Sequence, residues 1–148
     1  MHIRTMSTLD CSKFLETQRL GHLACTMNDK PYVVPIYFAI KGTHLYCFSM
    51  PGKKVDIMRQ NPHVAMVVES FSDHREWKSV HIEGQFEELP DRIGSKVERE
   101  HAWTMLSKFA NWWEPGGIKP DTQPVADHSA HLFYRIVIGE MTGRESAA

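Results

Sequence analysis

The sequence predicts a closed antiparallel β-barrel with helices packed outside it. Apolar runs of strand length recur along the chain between hairpin-forming turns, helical runs are few, and a final strand returns after a long Pro- and Gly-rich excursion. Strands and helices do not alternate regularly, which argues against a parallel α/β sheet.

The first element reads as a helix. Ser7 followed by Asp10 resembles a capping box, and Cys11, Phe14 and Leu15 share one helical face. "GHLACTM" (21–27) and "YVVPIYFAI" (32–40) then form a hairpin around the turn cluster "NDKP". The second of these is apolar almost throughout, the pattern of a strand covered on both faces. Gly42-Thr43 turns the chain into a third strand, "HLYCFS" (44–49). A short helix after "PGKK" stops at Asn61-Pro62, because a residue before proline is pushed out of the helical region. "HVAMVVES" (63–70) is the fourth strand and "FSDHREWK" a polar connection. "SVHIEGQFEEL" (79–89) is the fifth strand, with Gly84 marking a bulge. Pro90-Asp91 opens a longer helical region through residue 110, residues 111–130 form the irregular excursion, and "HLFYRIVIGEMTGRE" (131–145) is the sixth strand.

A chain of 148 residues without an internal linker is expected to form one domain, 1–148, burying about 70% of its unfolded surface. The net charge of −1 supplies no global field for nucleic acid or an acidic membrane. Cys11, Cys25 and Cys47 form no CxxC pair and read as buried apolar residues in a reducing compartment. No apolar run approaches the roughly 20 residues of a membrane span, and the polar start lacks a signal-peptide core. A cytoplasmic protein is the expectation.

Chemistry concentrates at "SMPGKK", residues 49–54. The turn lacks the spacing and terminal Ser/Thr of a Walker A loop. Lysines are favoured near a helix C-terminus, so Lys53 and Lys54 at the opposite end are mildly unfavourable unless an anion compensates. Ser49, the Gly52 backbone, Lys53 and Lys54 can converge on a phosphate; a solvated turn is the alternative that the residues leave open. "EWKSV" (76–80) places Trp77, Lys78 and Ser79 at a strand entry, either as a barrel cap or as a ligand contact at the rim. Of nine histidines, His128 and His131 stand three apart beside Asp127, but the stretch is not helical and scattered surface histidines are the expectation. The order of residues admits a Ser/His/Asp triad, yet no GxSxG elbow is present. Trp112 and Trp113 adjoin in a turn-rich segment. One is expected to pack inward and the other to meet a partner subunit or a flat ligand, unless both are core-edge aromatics.

"RLGHLACT" (19–26), "PYVVPIYFAIKGTHLYCFSMPGKK" (31–54), "NPHVAMVVE" (61–69), "WKSVHIEGQFEEL" (77–89) and "FYRIVIGEMTGR" (133–144) together resemble the pyridoxamine 5′-phosphate oxidase-related flavin-binding split barrels. The resemblance is to their smaller branch, related to nitroimidazole resistance proteins. It covers nearly the whole chain, and its specificity lies in the order and spacing of the stretches. It implies a mainly β fold, a six-stranded antiparallel split barrel with flanking helices, and a homodimer with FMN between the subunits. It implies that Ser49, Lys53 and Lys54 grip the flavin phosphate, with Phe48 and Gly52 in the same turn. Backbone groups of Val34, Pro35, Ile36 and Tyr37 would run along the isoalloxazine edge. Ser79, flanked by Trp77 and Lys78, would contact the flavin, and Trp112 or Trp113 would meet the partner.

Two departures bound the resemblance. The larger oxidases carry basic residues on the second strand, absent from "YVVPIYFAI", which leaves more of the phosphate to Lys53 and Lys54. They also end in an Arg/His-containing segment that binds the vitamin phosphate. This chain ends "EMTGRESAA", which argues against oxidation of pyridoxamine phosphate itself. The expected function is an FMN-dependent oxidoreductase acting on a small molecule, with flavin or haem binding for storage or sensing as the alternative. FAD and a deazaflavin are rival cofactors, and no metal is called. A single-strand-binding barrel is disfavoured by the charge balance.

Overall fold

The computed structural model describes residues 2–72, 75–90, 93–109, 112–115 and 132–147. Asp127, His128, His131 and most of the 111–130 excursion lie outside the described residues. The elements are β1 (His2–Met6), α1 (Thr8–Glu16), β2 (Leu20–Met27), β3 (Lys30–Tyr37), β4 (Ala39–Lys41), β5 (His44–Ser49) and α2 (Lys53–Gln60). They continue with β6 (His63–Phe71), β7 (Trp77–Leu89), a 3-10 turn at Ile93–Ser95, α3 (Lys96–Leu106) and β8 (Leu132–Ala147).

Local chemistry accounts for the ends of these elements. The Ser7 hydroxyl accepts the Asp10 amide at 3.1 Å and starts α1. Asn28 and Asp29 both hold positive φ, the conformation a tight hairpin between β2 and β3 requires. Lys53–Gln60 is the short helix expected before Asn61-Pro62, and the register slips between Glu83 and Gly84 as a bulge. A Cβ at Gly84 would sit 2.5 Å from the Val137 carbonyl oxygen, so the two strands close only over glycine.

The strands pair antiparallel in the order β3-β2-β6-β7-β8-β5-β4, with β1 on β8. The two ends of this seven-strand path, β3 and β4, are joined through the single residue Phe38. A flat sheet of that width would separate its edges by roughly 29 Å, at about 4.8 Å per strand, which one residue cannot span. The sheet must therefore curl until the end of β3 meets the start of β4, which makes it a barrel that stays split along the rest of those two edges. Phe38 is buried at that closure, and its amide donates to the Arg19 carbonyl at 2.9 Å.

Pairing sorts the side chains. Val34, Leu23, Met66, Ile82 and Met141 lie in one register row that packs with the interior, while Pro35, His22, Val67, His81 and Thr142 form an outward row. A second apolar cluster lies outside the barrel wall, where α3 places Ala102 and Leu106 over Tyr46, Phe48, Leu89 and Phe133. Glu98 fixes this helix, accepting from the Tyr46 hydroxyl at 3.2 Å and from Arg135 at 3.3 Å.

The six expected strands are present, and the structure adds two. β4 is separated from β3 by the turn at Phe38, and β1 forms from the polar first residues. One expectation is corrected. Among the described residues of the single chain the apolar run of β3 is not covered on both faces, and α3 lies over β5 instead. β5 is buried from Leu45 to Ser49, whereas β3 is a sheet edge with Val33 59% exposed and Pro35 exposed.

Candidate anion site at the β5–α2 turn

β5 delivers the chain from the barrel wall to the start of α2. Ser49 is its last residue and is fully buried, with its hydroxyl donating to the Met50 carbonyl at 2.6 Å. Gly52 is the N-cap in extended conformation and supplies no side-chain cap, so the first amides of α2 receive none from it. Val55, Ile57 and Met58 are buried against the barrel, which fixes the azimuth of the helix and sends Lys53 and Lys54 to either side of its start.

The two lysines differ. Lys53 is exposed and its ammonium lies 4.7 Å from the centre of the Tyr32 ring. Lys54 is half-buried and donates to Glu114 Oε1 at 3.0 Å. The Met50 amide donates to the same oxygen at 3.2 Å. The turn thus holds an anion with one backbone amide and one ammonium, the donor set expected for a phosphate oxygen. Trp112 and Trp113 anchor the segment that brings Glu114 there. Trp112 stacks on Phe133 with ring centres 6.4 Å apart and meets Phe48 edge-on at 5.0 Å, and Trp113 meets Trp112 edge-on. Both are partly buried and pack against the second apolar cluster, the arrangement of two core-edge aromatics that the sequence left open.

Beneath the turn lie Cys25, Cys47 and Tyr134. Burial raises the Cys25 thiol, opposed in part by the nearby Lys54 charge, and pushes the Cys47 thiol up to about 12. Burial also raises the Tyr134 hydroxyl well above the ordinary phenol range. All three stay protonated at neutral pH, so this floor offers no thiolate nucleophile and no general base. Among the described residues no group of three His, Cys, Asp or Glu side chains converges on a metal position.

The other predicted residues lie elsewhere. On β3, the Val34 and Ile36 side chains face the interior while Pro35 and Tyr37 face outward, and Arg19 stacks on the Tyr37 ring at 4.1 Å. Phe48 lies under α3. On β7, Trp77 and Ser79 share the outward face and line a 530 Å3 cavity with His81 and Arg144. Strand alternation sends Lys78 to the opposite face, 4.0 Å from Glu145, so it does not join Ser79. Ser49 pairs with Leu132 and Ser79 with Arg144, twelve positions along β8. That is roughly 40 Å of strand at about 3.3 Å per residue, and the two groups of residues stand at opposite ends of it.

Two features were not anticipated from sequence. Glu114 reaches the turn from 60 positions away, and nothing local in "NWWEPGG" signals it. A groove of 960 Å3 crosses the outer barrel wall over a floor that includes Ala24, Ala65, Gly84 and Gly139, and none of the predicted residues lines it. The facing pair Ala24 and Ala65 was its signal, visible once the register is known.

A family model described as pyridoxamine 5′-phosphate oxidase matches residues 7–145. An uncharacterized protein of Rhizobium meliloti is 47% identical over 148 residues, covering 100% of this chain and 98% of that protein. The crystal structure of a FAD-binding protein from Mesorhizobium loti is 48% identical with a TM-score of 0.84, covering 99% of this chain and 100% of that one. A FAD and heme binding protein from Mycobacterium smegmatis shares the fold at 18% identity and a TM-score of 0.73, covering 97% of this chain and 74% of that one.

Proposed function

The chain belongs to the pyridoxamine 5′-phosphate oxidase family, and from that premise we propose that it is a flavin-nucleotide-dependent oxidoreductase whose β5–α2 turn grips the flavin phosphate. The observation that carries this reading is the convergence of the Met50 amide and Lys54 on one carboxylate oxygen. A site that already satisfies an anion oxygen with an amide and an ammonium fits a phosphate ester. Lys54 would supply the charged contact, Lys53 a second cation from the rim, and the uncapped amides of α2 the remaining donors.

The bound flavin would supply hydride and electron transfer, and the protein's part is to hold, orient and shield it. Among the described residues, backbone groups from Val34 to Tyr37 on the exposed edge strand have a neighbouring strand on one side only, so they can meet a planar ring edge. Ser79 and the β5–α2 turn pair with opposite ends of the long strand β8, which favours their meeting one nucleotide from different chains. The proposed homodimer would set the β7 face of one chain against the β5–α2 turn of the other. The exposed Val33, Leu20 and Pro35 around β3 and the open groove over β2, β6 and β7 give such a dimer surface to bury.

FMN is the nucleotide proposed, because one phosphate grip suffices to hold its single phosphate. FAD is the second reading, favoured by the name of the 48% identical Mesorhizobium protein. The absorption spectrum of the protein as purified, followed by mass analysis of the released chromophore, tests both. Flavin bands with an FMN or FAD mass support the proposal, and reduction of those bands by NAD(P)H supports catalysis over storage. A Soret band without flavin, or no chromophore and no flavin uptake on titration, overturns it. A monomer by light scattering that binds flavin tightly removes the two-chain site. No helix among the described residues is long and apolar enough to cross a membrane, and the three unpaired thiols fit the proposed reducing, cytoplasmic setting.

A further inference from the structure

We propose that Glu114 is the resting occupant of the phosphate cradle and that flavin binding must expel it. This rests on the reading of the β5–α2 turn as the phosphate grip and adds a gate to it. Glu114 Oε1 accepts both donors, the Met50 amide at 3.2 Å and Lys54 Nζ at 3.0 Å, from a partly buried position. Those are the donors a phosphate oxygen would take. Two anions cannot share them, because like charges a few ångströms apart repel strongly where solvent screens poorly.

The contact has the form of a latch. Glu114 follows directly on Trp112 and Trp113, whose rings seat against Phe48 and Phe133. Phe48 is also the residue before Ser49, so the latch and the cradle rest on the same strand. Withdrawal of the carboxylate, whether by rotation of the Glu114 side chain or by movement of its backbone, takes a negative charge away from beside two indoles, which ties occupancy of the cradle to their environment. The apparent affinity for any phosphate ligand is the intrinsic affinity multiplied by the fraction of molecules in which Glu114 has let go. The latch also satisfies Lys54 when no ligand is present, which keeps a partly buried ammonium from standing alone.

The test compares FMN, riboflavin and pyrophosphate on the full chain and on the Glu114→Gln and Glu114→Ala variants. Riboflavin carries no phosphate, and pyrophosphate no ring. The expected result is FMN and pyrophosphate bound about tenfold more tightly by both variants, with riboflavin unchanged. In the wild-type chain pyrophosphate, which has no absorbance to quench indole emission, is expected to shift tryptophan fluorescence. The Glu114→Gln protein should start from the shifted spectrum. FMN and pyrophosphate affinities that stay level or fall in both variants, with far-ultraviolet circular dichroism showing a retained fold, overturn the latch. If no form binds either flavin, the flavin reading fails by itself. The pyrophosphate comparison still decides whether Glu114 competes for the cradle.

Discussion

Replacing Gly143 with alanine tests how α1 and β1 are locked to the barrel. Gly143 lies on β8 opposite Met6 of β1 and Val80 of β7, directly beneath the fully buried Cys11 of α1. A Cβ built there would stand 2.5 Å from Cys11 Sγ, 3.0 Å from Met6 Sδ and 3.2 Å from Met6 Cβ. Met6 can bend its flexible thioether aside. Cys11 cannot retreat, because its helix is pinned by the Ser7 cap and by Phe14 and Leu15 in the core. Ordinary carbon–sulfur contact is more than 1 Å longer, so helix and strand must separate. Overpacking of this kind costs about 1–3 kcal/mol. For a chain of this length that lowers the melting temperature by roughly 3–10 °C. The assay is thermal and urea unfolding of Gly143→Ala, Cys11→Ala and the double variant. Removing the sulfur opens the room the new methyl needs, so the double variant should be more stable than the sum of the two losses predicts, by about 0.5–2 kcal/mol. Additive losses, or a Gly143→Ala protein that melts within about 1 °C of wild type, would refute the packing derived for this corner.

Three further outcomes are expected. Lys54→Ala should weaken FMN about ten- to a hundredfold, since a charged hydrogen bond contributes about 1.5–3 kcal/mol. Lys53→Ala should cost only a few-fold, its ammonium being exposed over Tyr32, and isothermal titration with FMN and riboflavin would separate the phosphate from the ring. Stability should also fall in alkali. Cys47 rises from 9.0 to about 12 on folding, so the folded chain holds a proton that the unfolded chain releases. Below about pH 9 this thiol contributes no pH dependence, and from there to about pH 12 it costs stability progressively. The Cys47→Ala variant should lose part of that alkaline slope in urea unfolding, and an unchanged slope would show that burial of this thiol is not its source.

Much of this protein is written locally. The capped start of α1, the hairpin at Asn28-Asp29, the stop of α2 before Pro62 and the bulge at Gly84 all follow from the conformational limits of single residues, and the structure holds each of them. The turn at residues 49–54 stood out as a candidate anion site on electrostatic grounds, because two lysines at a helix start are unfavourable without a compensating anion, and that is visible without coordinates. Three things needed the tertiary structure. β1 carries one buried residue, Met6, in an otherwise exposed run, and only the free edge of β8 makes it a strand. The covered strand proved to be β5 rather than β3, because burial depends on where α3 docks, and that is set by contacts from across the chain. Ser49, which leads into the Lys53-Lys54 turn, and Ser79 pair with opposite ends of β8 within one chain, and Glu114 reaches the β5–α2 turn from 60 positions away. Register and long-range docking are properties of pairs of segments. No single stretch of sequence contains them.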